Sequence, residues 1–207
     1  MTAPVSTWAT LRHPPFRALW RSGGIYFIGN AMQVMAGAWM MIELTGSDFL
    51  AAAVQTAVFL PMFLLSLPAG VLADTTDRRR LILAALLTQA AAGAILAALL
   101  FAGWAGPGAL MFFIFIAGCC TALLSPAYNS TIADVVPREE LPAAITAMSI
   151  AYNAARALGP VLAGLVFALG GVWDFVLAVA STLVMAQTIR RWPTIGSSAH
   201  SAEPQLL

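Results

Sequence analysis

The sequence predicts an all-α membrane protein with six transmembrane helices, and two observations lead to this. No charged residue occurs between Arg80 and Asp134, and this run exceeds the roughly 20 residues that one helix needs to cross a bilayer. The run must therefore hold two spans, with a turn at residues 103–108, a stretch rich in glycine and proline. Hydrophobic residues make up 60% of the 207 residues and charged residues only 9%, far below the roughly 25% charged of soluble domains.

The remaining charges divide the chain into six predicted spans and two flanking segments. Helices suit this environment because they satisfy every backbone polar group internally. The spans are expected at about 22–42, 49–72, 81–102, 109–131, 142–170 and 173–189. We expect residues 15–192 to form the helical bundle, 1–14 to be a disordered cytoplasmic segment, and 193–207 to be a disordered cytoplasmic tail or a truncated linker.

The arginines predict how the chain is oriented in the membrane. All 10 basic residues are arginines, and all but Arg156 fall in the terminal segments or in loops on one side of a six-span topology. The opposite loops carry only Glu43, Asp48 and Asp174. Because positive charge is retained on the cytoplasmic side of a membrane, we expect both termini in the cytoplasm.

One charged residue is predicted at the middle of the membrane. Arg156 lies near the midpoint of span five, where insertion scales put the cost of an arginine at about 2.5–3.5 kcal/mol, so it should face protein or a water-filled cavity. Tyr152 and Asn153 share its helical face, and span one carries Asn30 and Gln33 near its middle. We predict that these five residues line one central cavity. The alternative is that Arg156 only bonds to backbone carbonyls and fixes helix packing.

Proline and small residues follow Arg156 in the same span. Pro160 cannot donate a hydrogen bond to the carbonyl of Arg156, which favours a kink. Gly159 and Gly164 are small enough to let a neighbouring helix approach closely. We therefore predict a helix kink and a packing interface at Gly159, Pro160 and Gly164.

Signatures of soluble enzymes are missing from the sequence, which has no P-loop, no G-x-S-x-G and no H-E-x-x-H. Both histidines, His13 and His200, lie outside the predicted spans, and no carboxylate lies deep within a span. We therefore expect no enzymatic activity, no cofactor and no metal site. An intramembrane enzyme is the least favoured alternative.

The loop between spans two and three resembles the signature loop of the major facilitator superfamily, in which an aspartate follows a glycine by four residues and basic residues come next. Gly70, Asp74, Arg78 and Arg79 match this pattern, whereas Asp77 replaces a glycine. Residues 15–20, 43–47, 136–141 and 153–160 are similar to a bacterial branch that includes the enterobactin exporter.

The resemblance implies a three-plus-three inverted repeat that forms one half of a twelve-helix transporter. Spans one and four would then line the substrate path, spans two and five would face the other half, and spans three and six would face lipid. It also implies that Gly70, Asp74, Asp77 and Arg78, Arg79 and Arg80 form a cytoplasmic latch that holds one conformation. From the residues alone, we expect Asp74 to accept bonds from a neighbouring helix N-terminus and the arginines to pair with it or with lipid phosphates.

The expected function is export of a small organic molecule, such as a siderophore, drug or metabolite, across the bacterial inner membrane. Alternating access needs two halves, so we expect a half-length or truncated form that works with a missing C-terminal half or another protomer. An ion gradient is the expected energy source. The alternative is a non-transporting scaffold or partner subunit that binds another membrane protein through spans two and five. We expect the lipid bilayer and a small-molecule substrate as partners, and no nucleic acid.

Overall fold

The computed structural model describes residues 7–191, and this part of the chain forms six long α-helices without a strand. All six are long and apolar enough to cross a membrane, which confirms the predicted fold class. The helices are α1 (Pro14–Thr45), α2 (Asp48–Thr75), α3 (Arg78–Phe101), α4 (Pro107–Val135), α5 (Leu141–Phe167) and α6 (Val172–Arg190). Short 3-10 segments, Thr7–Arg12 and Arg138–Glu140, precede α1 and α5.

The structure describes residues 7–14 of the segment expected to be disordered, and these residues contact the helical bundle. Trp8 packs edge-on against Trp20 of α1, with ring centroids 6.3 Å apart. Arg12 and His13 both contact the buried carboxylate of Glu140, just before α5. This ionic partner lies so far along the chain that no local pattern could reveal it. The predicted tail at 193–207 lies outside the described residues.

Glycines make the three turns on the side opposite the arginine-rich loops. Gly46 ends α1, Gly103 follows α3 and Gly170 precedes α6, each with a positive φ, at 64°, 69° and 130°. L-residues with a side chain rarely adopt this backbone conformation. The turns are therefore short, and consecutive helices run back through the membrane with little intervening chain.

The main partner of most helices is not their neighbour in sequence. α2 packs mainly against α4, and α5 mainly against α1. In the same way α1 contacts α6, α4 contacts α3, and α3 lies against α6. Exchanging the first three helices with the last three leaves this pattern unchanged. Because three spans are an odd number, the two triplets have opposite orientations, as a three-plus-three inverted repeat requires.

Each crossed pair is closed by a glycine at the point of contact. A Cβ at Gly118 of α4 would lie 2.8 Å from the carbonyl oxygen of Val58 in α2. A Cβ at Gly159 of α5 would overlap the Cβ of Ala31 in α1. The interface predicted at Gly159 is thus a direct contact with α1, while Gly164 leaves room for ordinary contact with Trp39. α5 continues through Pro160 as one helix.

We expect Gly159→Ala to lower the melting temperature of the detergent-solubilised chain. An added methyl group must push α5 away from α1, and such overpacking costs about 1–3 kcal/mol. Gly24→Ala is the matched control, because it is also inside a helix but a Cβ there meets nothing within 4 Å. Alanine is the better helix former by about 1 kcal/mol, so this control should gain stability. Equal melting temperatures for the two variants would contradict the close contact.

Asp174 differs from the expectation that it lies in an outer loop. It stands in the first turn of α6 and is fully buried. Within residues 7–191, neither carboxylate oxygen has a hydrogen-bond partner. The next residue, Phe175, belongs to an apolar cluster at this end of the bundle. The cluster also contains Met41, Leu96 and Leu110. α6 begins at Val172, close to the expected start of span six at about 173, so the difference lies in the packing around Asp174 and not in the helix boundary.

We expect Asp174→Asn to raise the melting temperature, because a buried carboxylate without partners destabilises the fold. Leaving a buried polar group unsatisfied costs about 1–3 kcal/mol, and more for a charged group. Asp48→Asn is the control, since Asp48 also stands in the first turn of a helix but is exposed. Its loss should change stability by a few tenths of a kcal/mol at most. A lower melting temperature for Asp174→Asn would show that the carboxylate has a partner.

Candidate binding cavity

A cavity of about 740 Å³ lies between α1, α2, α4 and α5. Pockets that hold small organic molecules occupy about 300–1,000 Å³ and are mostly apolar with a few polar groups. This cavity has that character, with Phe27, Val34, Val58, Phe59 and Met148 among its apolar residues. The crossed packing of α2 on α4 and α5 on α1 creates the space, because it holds two helix pairs side by side.

Four of the five residues predicted to share a cavity line this one. Asn30 comes from α1, and Tyr152, Asn153 and Arg156 come from α5. The structure does not place Gln33 there. Gln33 is buried and borders a separate void of about 10 Å³ between α1, α2 and α4. Gln33 follows Asn30 by three residues, which is less than the roughly 3.6 residues of one helical turn. The two side chains therefore leave α1 in different directions. A role of the four lining residues in binding stays a prediction.

Arg156 is exposed, and its guanidinium lies 5.8 Å from the centre of the Tyr152 ring. This geometry is a cation–π interaction, worth about 0.5–1 kcal/mol at an exposed site. Within residues 7–191 the guanidinium has no salt bridge and no hydrogen bond. The alternative prediction was that Arg156 bonds to backbone carbonyls, and no such bond occurs among the described residues. Its donors are left for water, a ligand or another protein.

Aromatic rings from three helices form one wall of the cavity. Phe27 of α1 packs edge-on against Tyr152 of α5, with centroids 5.3 Å apart, and against Tyr128 of α4 at 6.1 Å. Tyr128 in turn donates a hydrogen bond to the carbonyl of Leu19. Rings fixed in this way give the cavity a rigid apolar surface, against which Tyr152 positions Arg156.

A polar cluster that the sequence analysis missed lies beside the cavity. The hydroxyl of Tyr26 donates to Oε1 of Gln89 in α3, at 3.0 Å. Nδ2 of Asn30 lies 3.4 Å from both the Tyr26 hydroxyl and Oγ1 of Thr121 in α4. Tyr26 and Gln89 are almost completely buried. Gln89 lies in the long uncharged run between Arg80 and Asp134. A polar amide in the middle of a predicted span is the sequence feature that could have indicated this cluster.

The loop between α2 and α3 binds its neighbours differently from the expectation. Asp77, rather than Asp74, caps a helix, accepting a bond from the backbone N–H of Arg80 at 2.8 Å. Arg78 pairs with Asp134 of α4 at 3.1 Å. Asp74 is exposed and has no partner within the described residues. Arg78 thus reaches an aspartate on α4 rather than Asp74, which lies four residues before it.

Two further contacts define the surroundings of this loop. Arg79 donates a hydrogen bond to the carbonyl of Arg190 at the end of α6. A Cβ at Gly70 would meet nothing within 4 Å, so no close helix contact forms there among residues 7–191. The loop joins the ends of α3, α4 and α6, while Gly70 and Asp74 lie open on α2.

Six apolar helices in a crossed three-plus-three arrangement around a cavity define one half of a facilitator-type membrane transporter. The family described as transmembrane secretion effector has a model that matches residues 5–205. The chain belongs to this family of the major facilitator superfamily. It is a multi-pass bacterial membrane protein, and its family and relatives are transporters rather than enzymes.

The chain is similar in sequence to two kinds of bacterial transport protein. Macrolide efflux protein A of Streptococcus pyogenes is 27% identical over 200 residues, which cover 93% of this chain and 48% of the relative. The staphyloferrin A transporter of Staphylococcus aureus is 24% identical over 148 residues, covering 71% of this chain and 37% of the relative. The chain thus spans about half the length of the curated relatives it matches.

Proposed function

We propose that this chain is one half of an exporter that carries a small organic molecule across the bacterial inner membrane by alternating access. The observation that carries the proposal is the cavity of about 740 Å³, which holds an arginine without an ionic partner in the described residues. The names of the relatives, macrolide efflux protein A and staphyloferrin A transporter, support a drug, siderophore or similar metabolite as cargo. Both termini lie in the cytoplasm, and an ion gradient supplies the energy.

A second six-helix half covers the faces of α2 and α5. Only 22% of the most apolar stretch of each of these helices is buried, against 39–50% in the other four. The exposed residues are large and apolar, and they include Phe63 and Leu67 of α2 and Val161 and Leu165 of α5. Macrolide efflux protein A is about twice as long as this chain, so it has enough further residues to form a second six-helix half. Rocking of the two halves about this interface would expose the cavity to each side in turn.

The loop from Gly70 to Arg80 acts in this proposal as the cytoplasmic latch. Gly70 and Asp74 are open on α2, on the helix that faces the second half. Arg78 and Arg79 tie the same loop to α4 and α6. A contact made at Asp74 by the second half would therefore be transmitted to the ends of three helices. Breaking that contact would release the conformation in which the halves meet on this side.

We expect Arg156→Ala to reduce export of radiolabelled erythromycin about tenfold or more, because a hydrogen bond from a charged group is worth about 1.5–3 kcal/mol. Arg156→Lys should keep part of the activity, since it retains the charge. The variants are placed in the chromosomal gene of the native bacterium, and cellular accumulation of the label is measured. Arg138→Ala, on the exposed segment before α5, is the control and should export normally. Unchanged export by Arg156→Ala would remove Arg156 from the binding site.

We expect photo-crosslinking to distinguish the two kinds of exposed apolar face. A photoreactive amino acid at Leu67 or Val161 should crosslink to peptides of a second six-span half, which could be a second copy of this chain. Leu87 of α3 and Leu183 of α6 are also exposed. The photoreactive amino acid placed at either of these two positions should crosslink to lipid only. Adducts are identified by mass spectrometry of intact membranes.

Two results would contradict the arrangement of halves. Equal crosslinking from all four positions would show that α2 and α5 are not a specific interface. Adducts from Leu67 and Val161 to a membrane protein of another fold, in cells that do not export the drug, would support the scaffold alternative.

A further inference from the structure

The polar cluster beside the cavity fixes which atom of Asn30 a ligand meets. The cluster joins three helices: Tyr26 and Asn30 from α1, Gln89 from α3 and Thr121 from α4. Asn30 and Thr121 line the cavity, whereas Gln89 does not. Because buried polar groups are nearly always hydrogen-bonded, the single hydrogen of each hydroxyl in the cluster can be assigned to its nearest acceptor.

The two hydroxyl groups have no hydrogen left for Asn30. A tyrosine or threonine hydroxyl carries one hydrogen. That of Tyr26 is directed to Oε1 of Gln89 at 3.0 Å. That of Thr121 is directed to the carbonyl oxygen of Ala117, one turn earlier in α4, at 2.9 Å. Both acceptors are nearer than the 3.4 Å that separates the two hydroxyl oxygens from each other. Toward Asn30, both hydroxyl oxygens therefore act as acceptors.

The amide of Asn30 must consequently turn its nitrogen toward the cluster. An amide nitrogen carries two hydrogens, and Nδ2 of Asn30 lies 3.4 Å from each of the two hydroxyl oxygens. Its carbonyl oxygen, Oδ1, has no partner within residues 7–191. With the nitrogen held by the cluster, Oδ1 is the atom that remains for a ligand in the cavity.

We propose that Oδ1 of Asn30 accepts a hydrogen bond from a hydroxyl or ammonium group of the cargo, and that Gln89 is the positioning residue that sets this polarity. The inference rests on the proposed function, since it assigns a chemical class to the cargo of that cavity. Gln89 acts through Tyr26, from a helix that contributes no residue to the cavity lining. A site built around a hydrogen bond rejects a ligand that lacks the matching group, because the buried acceptor is then left unpaired.

Replacing Gln89 tests the assignment through ligand preference. The probes are radiolabelled erythromycin and its O-methylated ethers, and their export from the native bacterium is compared. The unmodified protein should prefer the hydroxyl form about tenfold, the equivalent of about 1.4 kcal/mol. In Gln89→Leu the Tyr26 hydrogen turns to Asn30, the amide reverses, and this preference should disappear or invert. Gln89→Glu keeps an acceptor and should keep the preference.

A merely structural role of Gln89 would lower export of all probes without changing their ratio. An unchanged ratio in a Gln89→Leu protein that still exports would therefore overturn the proposal. Loss of preference in Gln89→Glu as well as in Gln89→Leu would do so too, because the acceptor alone would then not matter.

A second measurement needs no cargo. Raman spectroscopy of the purified chain reports whether a phenol donates a hydrogen bond, and the spectrum of Tyr26→Phe isolates this residue from the other two of the 3 tyrosines. Tyr26 should show the signature of a donor, and the signature should persist in Asn30→Leu. Its disappearance there would assign the hydrogen to Asn30 and overturn the proposal. If no macrolide is exported, the proposed cargo is wrong, while the spectrum still decides the polarity of the cluster.

Discussion

Close approach of helix backbones is the constraint on which the rest of this structure depends. Lipid is as apolar as leucine, so burial of apolar side chains does little to bring spans together, and packing between small residues must do so. Gly118 lets α4 lie on the carbonyl groups of α2, and Gly159 lets α5 lie on Ala31 of α1. These contacts hold α4 on α2 and α5 on α1. The cavity is the space that two tightly closed pairs leave between them.

Polar groups in such a bundle are confined to places where something satisfies them. Tyr26 and Gln89 are buried and bond to each other across α1 and α3. Arg156 has no protein partner in the described residues and lies where the cavity is open. Asp174 is the exception, with both oxygens buried and unpaired in the same part of the chain. Of these groups, the two without a protein partner therefore lie at the cavity and at the start of α6.

The sequence could predict what depends on local pattern. The lack of charge gives the number of spans, and the spacing of Tyr152, Asn153 and Arg156 places them on one face of a helix that the structure turns to the cavity. Contacts between helices could not be read in this way. Gln89 and Thr121 lie 63 and 95 residues from Tyr26, and only the crossed packing brings them together. For the same reason the expectation that the arginines pair with Asp74 or with lipid phosphates does not include Asp134, with which the structure pairs Arg78.

The helices that close the crossed pairs are also those with the largest uncovered faces. α2 and α5 each use one face against a partner within the half and leave the opposite face exposed. Arg156 lines the cavity and is itself exposed on α5. A second half on these faces would therefore approach the same side of the cavity that a ligand contacts. Occupancy of the cavity and contact between the halves would then involve the same helices, which provides a physical route by which cargo could bias the rocking motion.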